Sequence, residues 1–278
     1  MKKMMTTITV AVASMALVAG IVEETKSKPV LAGTAQMAPL GDVTRKVTEL
    51  GTIIGNPIVP TLLLTSSQQQ LVDKYGRLRA DAPVTWLAYV QTPAWEIAAT
   101  NLDQVAIEDM LKHVIVYPIA DGPATMLLNH PGATKDADGT IHILPGEKNP
   151  EDTYVKYTPD NRFCAFASSP AMAAKALEDF EAIMSRRNDG KNVPLARVDI
   201  AERGMTAAKT LYAAFADAQK QAGTNDVAGI VSGIQAPKFK KLLAIIDSLA
   251  SCTISLDIDG SGLTMDASLS DRKSTRLN

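Results

Sequence analysis

The sequence has few of the residues from which binding and catalytic sites are usually built. Of its 278 residues, 5% are aromatic, two are cysteine and three are histidine. Carbohydrate-binding surfaces generally need exposed aromatic side chains, so the low aromatic content disfavours a carbohydrate-binding module. The formal net charge of −2 gives no reason to expect a nucleic-acid partner, because such proteins usually carry a clustered basic face.

The sequence also lacks the common catalytic and nucleotide-binding motifs. It contains no GxSxG, GxxxxGKS/T or GxGxxG segment, and these carry most nucleophile and phosphate-binding chemistry. His113, His130 and His142 are scattered and form no HxH or HxxxH pair, which favours core or surface histidines over metal ligands. We therefore expect no metal and no cofactor, and a non-catalytic protein is favoured over an enzyme.

Three short segments resemble functional motifs, and each has a simpler structural explanation. Residues 136–139 resemble part of a calcium loop, but Thr134 and Pro145 stand where its first and last ligands belong, so a hairpin turn is expected. Residues 257–260 fail as a calcium loop because they lie in a predicted strand and turn. Ser169 precedes a predicted helix, and helix capping accounts for it better than a nucleophile does.

A lysine cluster is the one candidate for anion contact. Lys238, Lys240 and Lys241 follow Pro237 at the start of a predicted helix, where positive charge opposes the helix dipole. They could meet an anionic partner or a lipid headgroup. The alternative is a solvated helix face.

Cys164 and Cys252 could form one disulfide in an oxidising compartment. Both lie in predicted strands, and strands can be neighbours in a sheet. The alternative is a pair of buried thiols that behave as small hydrophobic side chains.

Residues 1–20 have the pattern of a cleaved export signal. Lys2 and Lys3 precede an uncharged apolar run, and small residues end the segment at Gly20. The run is too short to span a bilayer, which takes about 20 residues. Ile21 stands where a lipoprotein signal requires cysteine. We therefore expect a soluble periplasmic or secreted protein after cleavage near Gly20.

The rest of the chain is predicted to be α+β, with mostly antiparallel sheets and packed helices in two subdomains. A flexible leader over residues 21–41 precedes a first subdomain over 42–190 and a second over 191–270. The periodicities predict strands over 84–90, 113–119, 140–144, 154–157, 162–167 and 195–200, and helices over 42–55, 60–75, 101–111, 123–129, 170–187, 205–223 and 225–249.

The last predicted element is a hairpin with one wet face and one buried face. Apolar residues alternate with polar ones from Cys252 to Ile258, and again from Leu263 to Leu269. A turn at residues 260–262 separates the two strands.

Residues 271–278 (DRKSTRLN) match no element. RKSTRLN resembles a translated sequencing adapter, in which case the tail is an artefact, the natural protein continues past about residue 270 and the second subdomain is truncated. The alternative is a short polar terminus.

The segments HVIVYPIADGPATMLLNHPGA, DGTIHI and YVKYTPDNRFCAFASSPAMAAKAL resemble uncharacterised exported proteins of verrucomicrobial and planctomycete-type bacteria. The resemblance covers roughly residues 42–270, rests on turn and packing residues, and implies no known activity. The leading hypothesis is an exported non-catalytic protein that binds an apolar ligand, a lipid or a protein partner through a half-exposed sheet or a groove between subdomains. The alternatives are a periplasmic hydrolase that uses scattered Asp and Glu residues and a structural envelope component that self-associates.

Overall fold

The computed structural model describes residues 29–53, 55, 76–90, 111–146, 151–186, 194–206, 249–259 and 262–271. The strands in these segments are β1 (Val30–Met37), β2 (Val84–Val90), β3 (Leu111–Pro118), β4 (Ala133–Lys135), β5 (Ile141–Ile143), β6 (Thr153–Tyr157), β7 (Phe163–Ala167), β8 (Ala196–Ile200), β9 (Leu249–Asp259) and β10 (Gly262–Asp271). The helices are α1 (Leu40–Ile53), α2 (Pro123–Asn129) and α3 (Pro170–Arg186), and residues 202–206 form a further helical turn.

The ten strands form one sheet in the order β10-β9-β8-β1-β2-β3-β7-β6-β5-β4. Every neighbouring pair is antiparallel. The predicted α+β class with mostly antiparallel sheet is therefore confirmed. The sheet also continues across the predicted subdomain boundary near residue 190, because β8 follows that boundary and pairs with β1.

The expectation of a flexible leader over residues 21–41 is wrong for β1, which lies inside the sheet between β2 and β8. The sequence VLAGTAQM contains alanine and glycine, which have weak strand propensity, so no local pattern marks it as a strand. Its backbone instead finds partners on both edges, β2 on one side and β8 on the other. Hydrogen bonds to strands far along the chain, and not local propensity, therefore set the conformation of β1.

One face of the sheet is covered by α3. Ser169 caps this helix, accepting a hydrogen bond from the Met172 N–H at 3.2 Å, which confirms its predicted structural role. The Tyr89 hydroxyl donates to Asp179 at 3.0 Å and anchors the helix to β2. The helix and strands bury a shared apolar cluster of Leu87, Tyr89, Val114, Val116, Ala165, Ala167, Met172, Ala173, Ala176, Leu177 and Phe180.

The opposite face of the β2–β5 region packs against α2, whose predicted start at Pro123 and end at Asn129 are confirmed. Met126 of this helix is 1% exposed and joins a second apolar cluster. The strand residues that bury with it are Val84, Tyr117, Ile141, Ile143, Val155 and Cys164. The two clusters lie on opposite faces because successive strand residues point to opposite sides of the sheet.

The predicted turns are confirmed where the structure describes them. The Asp136 N–H donates to Thr140 O at 2.8 Å, closing the β4–β5 hairpin, so residues 136–139 form the expected turn. Asn161, at φ 55°, occupies the turn between β6 and β7. The terminal hairpin is also present, since β9 and β10 pair over their length.

Several predictions lie outside the described residues. These are the export signal, the helices over 60–75 and 225–249, and most of those over 101–111 and 205–223. Among the helices that the structure does describe, none is long and apolar enough to span a membrane.

A close approach between β1 and the turn at 202–206 requires glycine at position 204. The Ala201 N–H donates to Ala32 O at 2.9 Å, and a Cβ on Gly204 would lie 2.2 Å from that same oxygen. Gly33 faces a similar limit, since its Cβ would lie 2.8 Å from Asp199 O on β8. Alanine and glycine lower the strand propensity of β1, but their small size permits the close approach of its neighbours.

We predict that Gly204→Ala lowers the free energy of unfolding by about 1–3 kcal/mol, because the added methyl must displace the backbone of β1. Thermal unfolding of the full chain, followed by circular dichroism, measures this change. Gly146→Ala is the control, since its Cβ would meet nothing within 4 Å. An equal loss of Tm in both variants would contradict the packing explanation.

Candidate functional site

The sheet carries an apolar surface at its β8–β10 end, on the side opposite α1 and α3. Because paired residues share a face, the strand registers place these side chains together in rows that run across the strands. We call this surface the apolar face; it consists of Ala196, Val198, Ile200, Cys252, Ile254, Leu256, Leu263, Met265, Ala267 and Leu269.

The rows of the apolar face continue from the buried core on the same side of the sheet. One row runs from Trp86 through Ala35, Val198 and Ile254 to Ala267. Trp86 packs against the second apolar cluster, whereas Ile254 and Ala267 are exposed. The same stripe is therefore covered at one end and open at the other.

Exposure is greatest on β10. Met265 is 74% exposed and Leu269 is 52% exposed, while Ile254 and Leu263 are each 37% exposed. Single exposed apolar residues are normal on protein surfaces, but contiguous apolar patches mark binding surfaces. The predicted buried face of the terminal hairpin is thus wrong for β10, whose apolar side chains are among the most exposed in the described chain.

The reverse side of this region is polar and internally hydrogen-bonded. Arg197 Nε lies 3.0 Å from both carboxylate oxygens of Asp199, and the Thr253 hydroxyl donates to Asp199 at 2.7 Å. The first contact lies within β8, and the second joins β8 to β9. The polar side chains on this side therefore hydrogen-bond to one another.

A charged pair fixes α1 to the same polar side. The Lys46 ammonium on α1 donates to the Asp257 carboxylate on β9, with the lysine side chain 7% exposed and the aspartate 29% exposed. Asp257 also accepts hydrogen bonds from the N–H groups of Leu195 and Ile258. Burial by itself would raise the pKa of Asp257, but the hydrogen bonds and the Lys46 charge outweigh it and hold the pKa below its ordinary value.

Sequence reasoning missed this pair. Its two residues are 211 positions apart, and Lys46 occupies a helix position that periodicity alone does not distinguish from a solvated one. Asp257 alternates with apolar neighbours, which indicated an exposed strand residue. No local signal marks either residue as a partner.

The suggested disulfide between Cys164 and Cys252 is not formed, and both cysteines are free thiols. Cys164 lies on β7 and Cys252 on β9, with β8, β1, β2 and β3 between them. Neighbouring strands are about 4.8 Å apart, whereas a disulfide needs Cα atoms within about 7 Å. Cys164 is fully buried, as the alternative of a buried thiol requires, and burial raises its pKa.

The remaining candidates do not converge on one site. Lys238, Lys240 and Lys241 lie outside the described residues. His113 is on β3 and His130 follows α2. His142, on β5, has Nε2 2.7 Å from Asp152 Oδ1 and its ring stacked on Tyr154, in a contact of exposed surface groups. Among the residues that the structure describes, no three His, Cys, Asp or Glu side chains are grouped to hold a metal ion.

The carboxyl groups in the described segments give no support to acid–base chemistry. Each described aspartate whose pKa clearly departs from its ordinary value is shifted downward, by hydrogen bonds from cationic, hydroxyl or backbone donors. Asp138 is the clearest case: hydrogen bonds from Lys156 and Thr140 lower its pKa to about 2. A general acid at neutral pH needs the opposite shift.

Comparisons with known proteins add no function. No family model matches the sequence, and no curated protein matches it. Crystal form IV of TP0453 is similar with a TM-score of 0.38 and 10% identity, over 88% of this chain and 81% of that chain. Crystal form I gives a TM-score of 0.37 and 10% identity over 88% and 80%, and form III gives 0.36 and 9% over 92% and 78%. TM-scores this low do not establish a common fold.

We predict that Asp257→Asn destabilises the protein by about 1–3 kcal/mol, since it removes the negative charge that faces the buried Lys46 ammonium. Chemical denaturation of the full chain measures this change. Asp42→Asn is the control because Asp42 and Arg45 form an exposed pair on the same helix, worth about 0–1 kcal/mol. Equal effects of the two substitutions would contradict the assignment.

The same pair predicts an acid dependence. The pKa of Asp257 is lower in the folded state, so its contribution is complete above the unfolded value of about 4 and is lost as pH falls through the folded value. Stability of the native chain should therefore fall more steeply below about pH 4 than that of Asp257→Asn. Parallel pH profiles would show that Asp257 does not contribute.

We predict that both cysteines are reduced in the purified full chain. Alkylation after denaturation, with and without prior reductant, should add the same mass, corresponding to two modified thiols. Without denaturation, Cys252 should react first because Cys164 is fully buried. A mass difference that depends on reductant would contradict the structure.

Proposed function

We propose that the protein is an exported, non-catalytic binding protein that holds an apolar ligand or lipid on the apolar face of β8–β10. The export signal predicted over residues 1–20, with cleavage near Gly20, supports a location in the periplasm or outside the cell. The resemblance to exported proteins of verrucomicrobial and planctomycete-type bacteria agrees with that location. The observation that carries the proposal is the exposed apolar surface of the terminal hairpin, centred on Met265 and Leu269.

The energetics of this surface favour an apolar partner. Fully burying a leucine or methionine side chain stabilises a complex by about 1.5–3 kcal/mol. Four side chains of this size, Ile254, Leu263, Met265 and Leu269, are at least 37% exposed. Since these side chains are already partly buried, covering each one contributes only part of that free energy, and the contributions together favour an apolar partner.

The charged residues near the apolar face indicate which lipid headgroup it would accept. Asp266 lies within β10 and Asp259 ends β9, and both are exposed. Both carboxylates lie on the polar side of the hairpin, and a headgroup at its edge still meets their charge within the screening length of about 8–10 Å. A neutral or zwitterionic lipid fits this surface better than an anionic one.

In this proposal the two predicted subdomains correspond to two regions of one sheet that have different roles. The strands β2–β7 pack against α2 and α3 and form the core. The strands β8–β10 present the apolar face. The predicted groove between subdomains is replaced in this proposal by an open sheet surface.

The alternative of a hydrolase has no observation in its favour among the described residues, whose displaced carboxyl pKa values all move downward. A purely structural envelope component remains the second candidate. The outer edge of β10 is the feature that favours self-association.

We predict that Met265→Asp/Leu269→Asp lowers binding to phosphatidylcholine vesicles by about tenfold or more, because each 1.4 kcal/mol lost weakens affinity tenfold. Vesicle flotation with the full chain measures the bound fraction, and enhancement of a hydrophobic dye gives a second readout.

The matched control is Ser268→Asp/Ser270→Asp, which adds the same charge to the polar side of the same strand, opposite Thr253 and Ser251. This variant should bind vesicles and dye like the native chain. Absence of native binding, or an equal loss in both double variants, would overturn the proposal.

A further inference from the structure

The outer edge of β10 has no neighbouring strand within the described sheet. Five consecutive residues, 265–269, are exposed. Because successive side chains point to opposite faces, such a run shows that both faces of this strand are open. A strand at a sheet edge directs half of its backbone N–H and C=O groups away from its single neighbour, and these groups template pairing with another chain.

The two ends of the sheet differ in the usual protection against such pairing. At the opposite end β4 has three residues, and short edge strands pair poorly. In contrast, β10 has ten residues and contains no proline, lysine or arginine. The long strand therefore offers a usable edge.

The residues of β10 on either side of Ala267 match each other in polarity. Met265 and Leu269 lie two residues before and after it, and Asp266 and Ser268 lie one residue before and after it. Over residues 265–269, an antiparallel pair centred on Ala267 matches apolar with apolar residues and acidic with hydroxyl residues.

We propose that β10 pairs antiparallel with β10 of a second copy of this chain, in the register that places Ala267 opposite Ala267. This arrangement is a two-fold dimer in which the two sheets become one. Met265 of each copy lies opposite Leu269 of the other, and Asp266 lies opposite Ser268. The register pairs nine residues, 263–271, on each strand.

Other registers are less favourable. Centring the pair on Asp266 sets two aspartates directly opposite each other, and like charges in that position destabilise a strand pair. Centring it on Ser268 pairs only residues 265–271 and sets Met265 opposite Asp271, whereas the Ala267 register pairs 263–271 and sets Leu263 opposite Asp271 at its ends. A shift by a single residue places the apolar side of one copy beside the polar side of the other.

The dimer extends the proposed function but does not depend on it. The two-fold axis is perpendicular to the sheet, so the apolar faces of both copies lie on the same side and join at β10. Pairing uses the backbone edge and needs no ligand. Loss of self-association and loss of lipid binding are therefore two separate experimental outcomes.

The test measures the mass of the full chain against concentration by sedimentation equilibrium, without lipid. The native chain should form dimers. Ser268→Asp creates two symmetric contacts between aspartates and should weaken the dimer about tenfold relative to Ser268→Lys, which creates two contacts of opposite charge. Both substitutions are at an exposed position, and circular dichroism checks that both variants fold.

Cysteine cross-linking tests the register. In a Cys252→Ser background, Ala267→Cys should form a disulfide-linked dimer, because directly opposite residues have Cα atoms about 4.5–5.5 Å apart. Met265→Cys is the control: it is more exposed, but its two copies would lie about 13 Å apart along the strands and should not cross-link.

A native chain that is monomeric at all concentrations, equal dimerisation of the two Ser268 variants, or faster cross-linking through Met265→Cys would each overturn the pairing. Vesicle binding by a monomeric Ser268→Asp chain would leave the proposed lipid-binding function standing. Loss of vesicle binding with the dimer intact would overturn that function alone.

Discussion

The backbone hydrogen bonds on the two edges of β1 hold the described sheet together. On one edge β1 pairs with β2, which leads to the core strands and α3, and on the other it pairs with β8, which leads to the terminal hairpin. The close approach of β8 to Gly33 and of the turn at 202–206 to Ala32 makes this junction tight. Every row of side chains that connects the core to the apolar face crosses β1.

The two sides of the β8–β10 region differ strongly because each one continues a different side of the core through β1. Polar residues on one side hydrogen-bond to each other and to α1, with Lys46 and Asp257 as the buried contact. Apolar residues on the other side continue the stripe that α2 covers farther along the sheet. Of the described helices, α1 and α3 lie on the opposite side of the sheet, and the composition of this surface is that of a core.

The sequence predicted the elements that are marked by residues close together in the chain. The β-branched and aromatic run of β2, the proline at the start of α2, the Ser169 cap of α3 and the turn residues before β5 and β7 all correspond to the structure. The alternation in β9 and β10 predicted the hairpin but not which of its sides is covered. Strand β1 and the Lys46–Asp257 pair depend on partners far along the chain, which single-sequence periodicity does not identify. The candidate site was therefore predictable as a hairpin, and its exposure was not.

The position of β1 also sets an order of assembly. Ala35 pairs with Trp86 on one side and with Val198 on the other, a partner about 160 residues later in the chain. During synthesis β1 can form a hairpin-like pair with β2 early, but its second edge stays open until β8 has emerged. Closing so long a loop costs chain entropy before the new contacts repay it. We therefore expect the hairpin that carries the apolar face to join the sheet after the core strands have formed.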